Sequence, residues 1–191
     1  MFAIYFELGF RHIADWQAYD HILFLLVLCA GYSLRNWRRV LGLVTAFTVG
    51  HALTLALAGL DVVSLRQSWV EFLIPVTIVA TALYNVANMP RSTRWGWVYG
   101  TTLCFGLIHG LGFSNYFRSL LFPDEANQLL TQLLAFNLGV EAGQLLIVAL
   151  VLGLTAILVN VGKIDSRNWT IFSSGAAFGL ALVMMLERWP Y

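Results

Sequence analysis

The chain has 191 residues, of which 59% are hydrophobic and only 11% charged, and its mean hydropathy is +0.75. A soluble domain is about 45–50% apolar and about 25% charged, so these values exclude an ordinary water-soluble globule and point to an all-α membrane protein. The net charge of +1 provides no basic surface for nucleic acid.

In chain order, residues 1–15 alternate aromatics with charge (Phe2, Tyr5, Phe6, Glu7, Phe10, Arg11), which predicts a short N-terminal interfacial segment. They lack the basic region and small-residue cleavage site of a secretory signal. A membrane span needs about 20 mostly apolar residues, and six stretches are candidates: about 16–34, 39–60, 68–89, 95–122, 128–161 and 168–188. The first reaches that length only if Asp20 and His21 are drawn inside. The fifth is longer than a bilayer requires and must tilt, protrude or break. The expected architecture is one integral domain, residues 1–191, built as a bundle of six transmembrane helices. Cys29 and Cys104 fall in apolar stretches without CxxC spacing and read as small buried hydrophobes.

Loop charge predicts the orientation. Arg35, Arg38, Arg39, Arg91, Arg94, Lys163 and Arg167 fall in the three connections of one side; Arg11, Arg66, Arg118 and Arg188 are left on the other, with Asp124 and Glu125. The first side is expected to be cytoplasmic, with both termini outside. At 1.5 Å per residue, His21, His51, His109 and Glu141 then all come out in the outer half of the bilayer, so the four are expected to share one site.

Ionisable side chains at that depth cost roughly 2.5–3.5 kcal/mol each and seldom persist without a partner or a task. Imidazole with carboxylate is also the ligand set of a divalent transition-metal site. On the second span Thr45, Thr48, His51 and Thr54 make a narrow polar stripe, which an interhelical hydrogen-bonding seam also explains. On the fifth, Asn137, Glu141 and Gln144 share a face, a carboxylate between two supporting amides. On the third, Thr77, Thr81, Asn85 and Asn88 run from mid-membrane toward the cytoplasm, as a packing seam or an inward conduit. Gly106 and Gly110 bracket His109, so it is expected at a tight helix crossing. Gly139 with Gly143 and Gly175 with Gly179 repeat that spacing. At the outer mouth stand His12, Asp15, Asp20 and His21. Adjacent helical residues point about 100° apart, so Asp20 and His21 divide between ligand and support. The expected metal ligands are His21, His51, His109 and Glu141; Asp20 stands beside them as ligand or support, and His12 reads equally as a surface residue or a ligand. Asp15, Thr48, Asn137, Gln144, Asn115, Thr77, Thr81 and Asn85 are the supporting or pathway residues.

The stretches LGFRHI (8–13), DHILFLLVL (20–28), FTVGHALTLALAGL (47–60), FGLIHGLGFS (105–114) and AFNLGVEAGQL (135–145) together resemble the HupE/UreJ membrane family of hydrogenase- and urease-associated nickel transporters. The resemblance implies a six-helix permease of the bacterial inner membrane that handles Ni²⁺ or a related divalent ion (Zn, Cu, Co or Fe). It also implies metal-handling roles for His12, Asp20, His21, His51, His109 and Glu141. This chain departs from the pattern between His12 and Asp20, where IADWQAY replaces a shorter spacer with a glycine before the Asp-His pair. That departure sets His12 apart as a gatekeeper or second site.

The expected function is a divalent-metal permease, most readily for nickel, with a metal-ion substrate, the lipid bilayer as its surroundings and room for a homo-oligomer. The absence of a GxxxxGK[ST] motif leaves it no built-in ATP chemistry. The alternatives are an intramembrane zinc-dependent hydrolase, for which Asp20 is an available base, and a membrane metal sensor or chaperone. A rhomboid-type serine protease centred on Ser114 lacks the GxSG loop.

Overall fold

In a computed structural model of the chain, residues 1–16, 19–87, 95–120 and 129–191 are described, the side chains of Tyr116, Arg118, Ser119 and Leu120 excepted. Asn88, Arg91, Arg94, Asp124 and Glu125, and the side chain of Arg118, therefore lie outside the described residues. Among the described residues there are seven α-helices and no strand: α1 Phe2–Ala14, α2 Asp20–Cys29, α3 Trp37–Gly59, α4 Gln67–Ala87, α5 Trp95–Leu120, α6 Leu129–Ala156 and α7 Ser166–Glu187. A 3-10 turn, Leu34–Asn36, leads into α3, and α6 ends in a π turn, Ile157–Val161.

Among the described residues, four stretches, Leu34–Gly59, Gln67–Ala87, Leu129–Val161 and Ser166–Glu187, are long and apolar enough to cross a membrane. Helix α5 is as long, at 26 residues, but His109, Asn115 and several glycines and threonines dilute its apolar content. Leu146, Leu150 and Leu154 on α6 and Phe172, Leu180 and Val183 on α7 all point outward and stay exposed. An apolar belt of this kind belongs against lipid rather than water. Cys29 is buried as expected, whereas Cys104 is exposed, because it lies on the outer face of α5.

Two elements differ from the sequence expectation. The stretch 16–34 holds only the ten-residue α2, about 15 Å long at 1.5 Å per residue and too short to span. Beyond Asp20 and His21, α2 is apolar on every side, which suits enclosure by protein as well as by lipid; in this fold it is protein. Leu23, Phe24, Leu25, Val27, Leu28 and Cys29 are all buried, among α4, α6 and α7. The N-terminal stretch, expected as a separate interfacial segment, is instead a helix packed along α6. Tyr5, Gly9 and Ile13, spaced by four, form its buried stripe, while Glu7 and Arg11 pair on the open side at 2.6 Å.

Glycines decide which helices meet. A Cβ on Gly9 would run into the Phe136 carbonyl, and one on Gly139 into the Phe6 carbonyl, so α1 and α6 touch backbone to backbone. A Cβ on Gly106 would meet the Phe47 carbonyl, and one on Gly50 the Leu103 carbonyl, which closes α3 on α5 in the same way. Around Gly175 and Gly179 there is nothing within 4 Å. A third pair, α4 with α7, is tied to α2 by Asn85, whose Nδ2 donates to the Val27 carbonyl at 2.7 Å and to Ser174 Oγ at 3.2 Å.

Candidate metal centre

The two glycine-lined crossings and the buried α2 bring all four histidines together. His12 stands in the last turn of α1, His21 in the first turn of α2, and His51 and His109 near the middle of α3 and in α5. Gly110, next to His109, lies against the backbone of His51, which leaves no room for the two helices to separate there. The ring centroids are 4.7 Å apart for His12 and His21, 5.1 Å for His21 and His109, and 5.9 Å for His12 and His51. His51 and His109 are fully buried, His21 is buried and His12 half-buried. The spacing departure around IADWQAY thus does not keep His12 away from the other three.

Their nitrogens are unusually short of partners. His12 Nε2, both ring nitrogens of His21, His51 Nε2 and His109 Nδ1 are buried without a hydrogen bond. Buried polar groups are almost always satisfied, and each orphan costs about 1–3 kcal/mol. Four such rings approach the whole stability of a domain, about 5–15 kcal/mol, so core packing alone does not account for them.

Neighbouring groups decide which nitrogen is left bare. Thr77 Oγ1 donates its single proton to the Ile74 carbonyl at 2.7 Å, so at 3.1 Å it accepts from His109 Nε2–H. His109 Nδ1 then carries the lone pair. Asn137 Nδ2 donates to the Leu133 carbonyl at 2.8 Å, which turns Oδ1 toward His51 Nδ1 at 3.5 Å and makes Nδ1 the donor. His51 Nε2 is the bare nitrogen. His21 Nδ1 lies 3.0 Å from Asp20 Oδ1, at ion-pair distance but without hydrogen-bond alignment. A carboxylate beside one ring nitrogen is the arrangement that orients a ligand histidine through the other.

A cavity of about 330 Å³ opens on this cluster, with His12, Asp20, His21, His109, Glu71 and Arg188 in its wall. Arg188 Nη1 donates to Asp20 Oδ2 at 3.2 Å, so the carboxylate next to His21 is itself held by a cation from the end of α7. Asp15 is exposed at the end of α1 and does not line this cavity. Asn115 lies at the rim, where its Nδ2 donates to Gln67 Oε1 at 3.0 Å.

On the other side of the histidines is an aromatic layer. Phe24 and Phe47 pack on His109 at 5.3 and 5.1 Å, and Phe24 meets Phe105 at 6.1 Å. Phe105 also lines a second cavity, of about 270 Å³, whose polar wall includes Thr81 and Asn85 one and two turns beyond Thr77. The stripe on α4 therefore runs from the histidines to this second cavity.

Glu141 does not join the histidine ring. It accepts from Thr45 Oγ1 at 2.8 Å, and Gln144 Oε1 accepts from Thr48 Oγ1 at 2.8 Å, which makes a polar seam between α3 and α6. Among the described residues no group of three or more His, Cys, Asp or Glu side chains is arranged to hold a metal ion as it stands. The His12–His21 and His21–His109 rings meet edge to face, and the His12–His51 rings are tilted by 39°.

A family model described as HupE / UreJ protein matches residues 1–189. The chain belongs to this family. HupE/UreJ proteins are associated with nickel and cobalt uptake for hydrogenase and urease. No curated protein and no solved structure is significantly similar to the chain. In this HupE/UreJ chain the stretches that carried the resemblance supply His12, Asp20 with His21, His51, His109, and Asn137 with Glu141, all but the last within one cluster.

Sequence reasoning missed Glu71, Gln67 and Arg188. Glu71 carried a usable signal, since it is a carboxylate inside an otherwise apolar span and such residues mark functional sites by default. Arg188 carried none, because its partner Asp20 is 168 residues away. The tautomer argument also makes a prediction. Thr77→Val keeps the volume but removes the acceptor of His109 Nε2–H, so metal affinity should fall about 10- to 100-fold, the usual effect of losing a ligand's orienting partner. Titration of purified protein with nickel checks it, and unchanged affinity would mean that Thr77 does not set the tautomer.

Proposed function

We propose that this HupE/UreJ protein is a divalent transition-metal permease, with nickel as its substrate, that passes the ion through the histidine cluster in the outer half of the bilayer. The observation that carries the proposal is the convergence of four imidazoles from four helices, each with a buried ring nitrogen that lacks a partner. Imidazole suits Ni, Co, Cu and Zn alike, so the choice of nickel rests on the family.

An ion entering the outer cavity exchanges water for His21 and His109, and rotation of the rings draws in His51 and His12. Release toward the inner cavity requires Phe24 and Phe47 to move aside, after which Thr81 and Asn85 offer oxygens along the way. We read that inner cavity as cytoplasmic and both termini as outside, in line with the basic residues of the connections. We read the chain as six crossings in a bacterial inner membrane, α1 and α2 together making the first. Transport is passive or coupled to protons on His and Glu. The hydrolase alternative is weakened by Asp20, whose carboxylate is engaged by Arg188 and His21 and so is not poised as a general base.

Purified protein in proteoliposomes should take up nickel down its gradient, and the detergent-solubilised protein should bind nickel stoichiometrically and exchangeably. His51→Ala should lose both. Absence of nickel uptake by the wild type, or a tightly retained zinc with lipid-amide hydrolysis, would overturn the reading.

A further inference from the structure

Among the described residues, the wall of the outer cavity carries three charged side chains, Asp20, Glu71 and Arg188. Asp20 and Arg188 are paired at 3.2 Å, which cancels their charges toward an approaching ion. Among the described residues of the wall, Glu71 is left as the carboxylate that sets the sign of the mouth. Its orientation is fixed by an amide rather than a cation. Gln67 Nε2 donates to Glu71 Oε1 at 3.0 Å and to the Gly112 carbonyl at 3.2 Å, and Gln67 Oε1 accepts from Asn115 Nδ2 at 3.0 Å. The carboxylate on α4 is thereby tied to two points on α5. One turn further on, Pro75 has no N–H to bond the Glu71 carbonyl, so this turn of α4 is rich in oxygen acceptors.

Deeper in the same wall lie His21 and His109, 5% and 1% exposed, with ring nitrogens that have no partner. Exposed oxygen outside and bare nitrogen inside form a sequence of donors. A hydrated divalent ion meets an anionic oxygen first, because carboxylate binds while the ion still holds most of its waters. It then trades that ligand for imidazole, which late first-row ions prefer.

We propose that Glu71 is the loading ligand of the transport path, the group that captures the hydrated divalent cation at the mouth and delivers it to His21 and His109. The proposal rests on the permease reading and assigns a role to a residue outside the histidine cluster. Glu71 acts on capture, whereas the histidines act on passage.

The test is nickel uptake into proteoliposomes as a function of nickel concentration for wild type, Glu71→Gln and Glu71→Asp. Glutamine keeps the shape and can still accept from Gln67 Nε2, so the fold is preserved. Glu71→Gln should raise the half-saturating nickel concentration about tenfold and leave the maximal rate unchanged, because one screened charge attracts the ion only at the mouth. Glu71→Asp should fall between the two. Raising the salt concentration should narrow the gap between Glu71→Gln and wild type. Unchanged half-saturation in Glu71→Gln overturns the loading role, as does a lower maximal rate at saturating nickel, which would place Glu71 with the histidines. Failure of the wild type to transport sinks the permease reading instead, so the two failures are distinguishable.

Discussion

His109→Leu is expected to abolish nickel uptake and at the same time to make the metal-free protein more stable. The two effects have one cause. His109 Nδ1 is buried without a partner, a desolvation cost of about 1–3 kcal/mol, and leucine fills a similar volume with no polar atom. Thr77 loses its contact with the ring but keeps its bond to the Ile74 carbonyl, so no new orphan is created. The metal, by contrast, loses a donor from the end of the cluster where His109 sits against both His21 and the aromatic layer. Uptake should drop by more than the roughly 10- to 100-fold that follows the loss of a mere orienting partner. Thermal unfolding in detergent and uptake in proteoliposomes are the two measurements. A histidine kept for packing would give the opposite pattern, with lower stability and uptake intact, and that result would remove His109 from the site. Raised stability with lost function is the trade expected where a strained, unsatisfied site is retained for its chemistry.

Gly139→Leu should prevent α1 from docking and cause loss of most of the folded protein from the membrane. Its Cβ would collide with the Phe6 carbonyl. Backbone cannot move aside like the end of a flexible side chain, so the helices must separate, at a cost of about 1–3 kcal/mol or more. Displacing α1 also pulls His12 away from His21 and His51. Gly175→Leu is the control, since nothing lies within 4 Å of that position; it should insert and accumulate normally. Both glycines begin a GxxxG pair, so the comparison separates packing from motif. Equal accumulation of the two variants would show that α1 is not held against α6 by this contact.

Those two glycines also show where the sequence stops being informative. Gly106 with Gly110, Gly139 with Gly143 and Gly175 with Gly179 are identical in pattern, yet the first two close on partner backbones and the third faces open space. The small residue permits close approach; only the arrangement of the other helices decides whether a partner arrives. The carboxylates behave alike. Glu141 and Glu71 are both acidic residues in apolar spans, but Glu141 is taken up by Thr45 on α3 while Glu71 lines the outer cavity.

Composition by itself determined that this is a helical membrane protein, because a chain so poor in charge must satisfy its backbone internally and cover its apolar faces with lipid or with itself. It also determined which residues were too costly to be there by accident: His21, His51 and His109. The tertiary structure decided the rest. It brought His12 into the cluster despite the long IADWQAY spacer, left Glu141 in a neighbouring seam, shortened the first span to a buried α2, and joined Asp20 to Arg188 at the far end of the chain. Periodicity specifies what a helix must hide, one element at a time. Which nitrogen is left bare, and which charge meets it, depends on the depth and angle at which two helices cross, and that is set by backbone contacts far apart in the chain.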